Sequence, residues 1–244
     1  MIRRPPRSTP SNSSAASDVY KRQITATYLD PLSAHRFLES IKPGEKPGIL
    51  YLLHLITYTP DYLRSKPYIN YRIVDAFEEK AWDDVYDKLI PPPPDSDVEY
   101  GFWLQAYVHA RLLYDWINEA SEDSISEKYE VGPGDLYSAK ETAAWISAGL
   151  SRISGVRGLE YYREELRKLS IRLEFGVKED ALELIRLEGI GRVRARILLK
   201  AGIRSLEQLA ATPRARLVSL PSFGPKLVDS IKEQLARMGY SVVD

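Results

Sequence analysis

The chain has 244 residues, 34 Lys and Arg against 34 Asp and Glu, and no cysteine. That length is one or two domains. The missing thiols exclude disulfides, thiolate metal sites and a cysteine nucleophile, and fit a cytoplasmic protein; no apolar run approaches the roughly 20 residues of a membrane span. The zero net charge conceals a division. Residues 1–23 carry five basic and one acidic residue, residues 24–175 carry 17 and 25, and residues 176–244 carry 12 and eight. Such asymmetry points to separate modules, with the basic one a candidate for nucleic acid.

The segment MIRRPPRSTPSNSSAASDVYKRQ, residues 1–23, is rich in Ser, Pro and Arg without apolar periodicity and reads as disordered. It lacks the apolar core of a secretory signal. It also resembles translated adapter DNA, in which case the protein begins near Ile24 with something upstream missing.

Residues 24–175 read as a helical, acidic domain. PLSAHRFLESI sets Leu32, His35, Phe37, Leu38 and Ile41 near helical spacing. PGILYLLHLITYTPDY predicts a buried helix stopped near Pro60. YRIVDAFEEKAWDDVYDKLI predicts a third, ended by Pro91 to Pro94, and EYGFWLQAYVHARLLYDWINEA a long aromatic fourth. SISEKYEV is a short one. GPGDLYSAKETAAWISAGLSRIS opens another after Pro133-Gly134, with Asp135 as N-cap.

On a wheel of 100° per residue this last helix gathers Leu136, Ala143, Ile146, Leu150 and Ile153 on one side. Trp145 falls about 120° from their centre, beside Ser138, Thr142, Gly149 and Arg152. A tryptophan so placed can stack on a nucleobase; periodicity alone favours packing against another helix. Trp82, Trp103 and Trp116 read as core. His35, His54 and His109 are scattered without ligand spacing, so no metal site is expected.

Residues 176–244 read as helix, tight turn, helix, then a second such unit. Gly189 and Gly191 bracket Ile190, which plugs the turn into the core, and Ala195 is small where the helices cross. Glycines open backbone torsions closed to other residues, and the next helix then presents unsatisfied N–H groups suited to a phosphate. This is the helix-hairpin-helix pattern. A second copy follows 33 residues on, with Ser222-Phe223-Gly224 in place of Gly189-Ile190-Gly191 and Lys226 beside it. Arg192, Arg194 and Arg196 fan out from the first hairpin: Arg192 and Arg196 share a side and Arg194 points elsewhere. Contact with DNA backbone, independent of sequence and sensitive to salt, outweighs ordinary ion pairs to Glu183 or Glu188. The fold class is all-α, a helical bundle followed by a small double helix-hairpin-helix domain.

YLDPLSAHRF, HLITYTPD, ISEKYEVGPGDLYSAKETAAWI and FGVKEDALELIRLEGIGRVRARILLKAGI together resemble the C-terminal part of the archaeal ATP-dependent DNA helicases. These belong to the Ski-like branch of superfamily 2, act at stalled replication forks and are related to the helicase part of DNA polymerase theta. The resemblance implies a ratchet domain and a helix-hairpin-helix domain, here without the ATPase domains that precede them in the family. It implies 3′ to 5′ polarity, single-stranded or branched DNA as partner, and a nucleoid-associated location. It makes Trp145 a base-stacking residue, assigns RVRAR to the exiting strand, and puts Ser138 where the family's second stacking residue, an arginine, stands. No GxxxxGK[ST] loop and no DExH box occur, so ATP and Mg are implied only for the missing motor.

Two other functions compete. One is a complete, non-catalytic DNA-binding adaptor. The other is a glycosylase of the helix-hairpin-helix type using Lys226 and Asp229; these lie on a turn already used by the second repeat, which disfavours it.

Overall fold

The computed structural model describes residues 27–156 and 159–243, and the basic segment 1–23 lies outside them. Among the described residues every regular element is helical. None of these helices is long and apolar enough to cross a membrane.

Side-chain caps and prolines mark the early helix starts. In α1 (Pro31–Ser40), Asp30 accepts the Leu32 N–H at 2.8 Å and Pro31 takes the first helical position, where a missing N–H costs nothing. Helix α2 (Ile49–Thr57) is buried over nearly its whole length. Pro60 does more than stop it: Thr59 and Pro60 start α3 (Pro60–Ser65). The single helix expected over residues 71–90 is two, α4 (Tyr71–Ala76) and α5 (Glu78–Tyr86). The break falls at Phe77, whose ring stacks on Tyr129 at 5.5 Å and meets Tyr107 edge-on at 6.4 Å. Packing of that ring outweighs continuity of the backbone ladder.

The centre is α6 (Asp97–Ile117), which buries Trp103, Tyr107, Leu112, Leu113 and Trp116. Helix α7 (Glu122–Tyr129) leads to α8 (Pro133–Val156), which packs along α9 (Glu160–Phe175). Asp135 is not the N-cap of α8. It stands in the first turn and its carboxylate reaches back to the Gly132 N–H at 3.0 Å, the reciprocal half of a capping box. Small residues let α8 and α9 approach: the Ser147 and Ser151 hydroxyls donate to the Leu166 and Arg163 carbonyls at 2.8 and 2.7 Å.

Two hydrophobic cores result. One runs from Leu29 to Leu173 and the other from Val177 to Leu235. Gly176 caps α9 between them at φ +63°, and a Cβ there would lie 2.5 Å from the Trp116 ring. Only glycine satisfies both demands.

The tryptophans divide unequally. Trp103 and Trp116 are core, as expected; Trp82 is not, being 39% exposed beside Tyr100. His54 and His109 are buried, and His35 lies at the surface facing Glu39.

Candidate nucleic-acid interface

The second core belongs to two stacked hairpins. Before the first turn the chain forms short 3-10 turns, Glu179–Ala181 and Leu184–Arg186, where a regular helix was expected. Burial of Ala181, Leu184, Ile185 and Leu187 sets this tighter path. After the turn comes α10 (Arg192–Lys200), then α11 (Leu206–Ala211), α12 (Arg214–Val218) and α13 (Pro225–Arg237).

The two turns are built alike. Gly189 has φ +85° and Ser222 has φ +63°. Ile190 and Phe223, one residue on, are buried, and each donates its N–H to the carbonyl three residues back, Leu187 and Leu220. Gly191 and Gly224 then begin α10 and α13 with no side-chain cap. Both helices therefore present free N–H groups and a partial positive charge outward. Ala195 is fully buried at the crossing. Lys226 is exposed beside the second turn, without an ion-pair partner among the described residues.

The arginines separate as their spacing predicts, but their partners are unexpected. Arg194 Nη1 donates to the Gly189 carbonyl at 2.8 Å and its Nε to the Ser222 carbonyl at 3.0 Å, so one guanidinium ties the two turns together. Arg192 and Arg196 face the helical bundle. Arg192 Nη2 donates to the Ala120 carbonyl at 2.8 Å, and its guanidinium lies 5.3 Å from the centre of the Trp116 ring. Arg196 bonds Glu119 through Nε at 2.7 Å and grips Asp180 with two nitrogens at 2.7 and 2.5 Å. The Arg196 guanidinium holds the Asp180 carboxyl below its ordinary value. The alternative partners, Glu183 and Glu188, are not used: the Glu183 carboxylate accepts the Leu206 N–H instead. Glu119 also accepts the Lys178 N–H at 3.1 Å.

On α8 the wheel holds. Leu136, Ala143, Ile146, Leu150 and Ile153 are buried, while Trp145 is 41% exposed. Ser138 is exposed two turns earlier and Arg152 two turns later; Gly149 is covered by Leu29. Trp145 thus stands outside the bundle core. Lys226 and Asp229 are both exposed on α13, and Asp229 is held by Arg214 at 2.6 and 3.0 Å, which lowers its pKa. A carboxylate so engaged is no general base for glycosylase chemistry. Among the described residues no group of His, Asp and Glu is arranged to hold a metal.

A helical bundle carrying an outward tryptophan and joined to paired hairpins defines a class of protein, and known families supply both halves. Residues 181–237 match the family described as a SAM-like helix-hairpin-helix tandem. Residues 50–176 match the archaeal helicase domain 4 family, and the chain belongs to that family. The chain is similar to the ATP-dependent DNA helicase Hel308 of Methanocella arvoryzae, 38% identical over 221 residues covering 88% of this chain and 29% of that protein. It is similar also to the same-named helicases of Methanocaldococcus jannaschii, 36% identical over 88% of this chain and 17% of that protein, and of Aeropyrum pernix, 37% identical over 89% and 29%. The chain spans less than a third of the length of each of these relatives.

Proposed function

We propose that this chain is the strand-gripping part of an ATP-dependent DNA helicase. Single-stranded or branched DNA is held at two places: a base stacks on Trp145 of α8, and backbone phosphates lie at the starts of α10 and α13 beside Arg194 and Lys226. Unwinding is powered by ATPase domains of the same protein, where ATP and Mg belong. The 3′ to 5′ direction and the role in replication-fork repair come from the family resemblance. The reading is carried by the two equivalent turns, each opening an uncapped helix with a cation in its first turn. Backbone amides and cations at fixed spacing recognise phosphates without reading bases.

The test is a salt titration of binding to a labelled single strand. Replacing Arg194 and Lys226 together with Ala should weaken binding to all sequences and flatten the slope of log affinity against log salt by about 1.4, two contacts at ~0.7 each. An unchanged slope removes these hairpins from the interface.

A further inference from the structure

Helix α10 ends, away from the hairpin, in a turn that gathers positive charge. Gly202 has φ +82° and donates its N–H to the Leu199 carbonyl at 3.1 Å, and the buried Ile203 donates to the Leu198 carbonyl at 2.9 Å. This pair of bonds is the Schellman motif: a left-handed residue reverses the chain and the last carbonyls of the helix are satisfied. The Ala201 carbonyl accepts from Arg216 Nη2 at 3.2 Å. The reversal brings Arg204 back towards Lys200. With Asp180, Arg196 and Leu199 they line an open cleft of about 320 Å³.

The charges of this cleft do not cancel. Asp180, the carboxylate in its lining, is gripped by two nitrogens of Arg196. On the adjoining segment Glu179 accepts from Lys168 at 2.9 Å and Glu183 accepts the Leu206 N–H at 2.9 Å. Lys200 and Arg204 are exposed, and neither side chain has a hydrogen-bond or ion-pair partner among the described residues. Lys178 adds positive charge near Asp180 and helps to lower it. Two uncompensated cations thus stand beside a closed Arg196–Asp180 pair, in a space that admits a phosphate group. Lysine and arginine both bind phosphate through charge-assisted hydrogen bonds. Lys200 lies about 12 Å along α10 from Arg192 at 1.5 Å per residue, so one helix carries the hairpin at its start and this cleft at its far end. Both belong to the module with 12 basic and eight acidic residues.

We propose that the cleft between Lys200 and Arg204 is a separate phosphate site, which holds a backbone phosphate of DNA beyond the segment bound at the hairpins. This assignment rests on the reading of the chain as a DNA grip, and the experiment separates the two. Binding of the full chain to a labelled oligothymidine is titrated with salt for wild type and three double variants: Lys200→Ala with Arg204→Ala, Arg194→Ala with Lys226→Ala, and Lys42→Ala with Lys46→Ala. The last pair removes the same charge from a loop of the bundle. Titration with inorganic phosphate, followed by the amide shifts of residues 199–204, tests for a free anion.

The Lys200 and Arg204 pair should flatten the slope of log affinity against log salt by about 1.4, two contacts at ~0.7 each, with the melting temperature unchanged. Exchanging the two cations, Lys200→Arg with Arg204→Lys, should restore the slope. The Lys42 and Lys46 pair should leave it as in wild type; equal flattening there would reduce the effect to net charge and overturn the site. If the Arg194 and Lys226 pair flattens the slope and the Lys200 and Arg204 pair does not, the cleft is overturned and the grip stands. Saturable binding of inorganic phosphate with an unchanged DNA slope would make it a site for a free anion, against the proposal. If wild type fails to bind the strand at low salt, the grip falls and this site falls with it.

Discussion

Ser222 adopts a backbone conformation that glycine enters freely and other residues enter at a cost. Left-handed torsions cost an L-residue roughly 1–2 kcal/mol, and the extra freedom glycine gains in the unfolded chain offsets about 0.4–1 of that. Ser222→Gly should therefore raise stability, by at most about 1.6 kcal/mol, seen as a higher denaturant midpoint at constant slope. The equivalence of Ser222 to Gly189 was legible in the sequence because both precede a buried apolar residue and a second glycine. The histidines give a prediction in pH. Burial lowers His54 to about 4; burial, with Lys66 nearby, lowers His109 to about 3. Both are neutral in the fold, while the unfolded chain takes up protons below about 6.5. Their contribution is complete above that pH and declines as pH falls towards 4. The loss is on the order of a few kcal/mol. Denaturant titrations at pH 7.5 and pH 5 measure it. The lowered carboxylates Asp30, Asp180 and Asp229 act below this window.

At the scale of elements, helix existence was easier to read than helix integrity. The wheel of α8 separated buried from exposed positions because five apolar residues fall in one sector. The break at Phe77 was hidden, since the rings that draw it inward stand on α6 and α7. Trp82 was read as core for a related reason: apolar neighbours in sequence do not reveal which face of a short helix is covered. The 3-10 turns before Gly189 follow from a core too small to see locally. For α8 the exposure of the indole leads to an expected outcome: Trp145→Ala should weaken single-strand binding by about 1–3 kcal/mol and leave the melting temperature within error of wild type. A large fall in melting temperature would return Trp145 to the structural residues.

Across the whole molecule, the charges that mark the basic module also fasten it. Arg192 and Arg196 reach partners 72 and 77 residues away, separations that no local pattern encodes. Only their shared helical side was legible. Arg192 satisfies a carbonyl just past the end of α6, where a cation also meets the negative end of the helix. Glu119 collects Arg196 and the Lys178 N–H at the same junction. Glu119→Ala should leave both cores folded while loosening the connection. Trypsin should then cut after Lys178 faster than in wild type, with the circular dichroism unchanged. An unaltered cleavage rate would show that packing around Gly176 and Trp116 holds the junction without the carboxylate.

Trp116 lies where these contacts converge: its indole N–H donates to the Leu173 carbonyl at 2.7 Å, and cations from α8 and α10 adjoin its ring. The junction therefore contains its own fluorophore. With Trp82, Trp103 and Trp145 changed to Phe, the tryptophan emission, excited beyond the tyrosine absorption band, would come from this indole alone. A closed junction shields it from dissolved quenchers and keeps its spectrum blue. An opened one moves the emission to the red, so the separation of the two units can be followed in solution without attaching a dye.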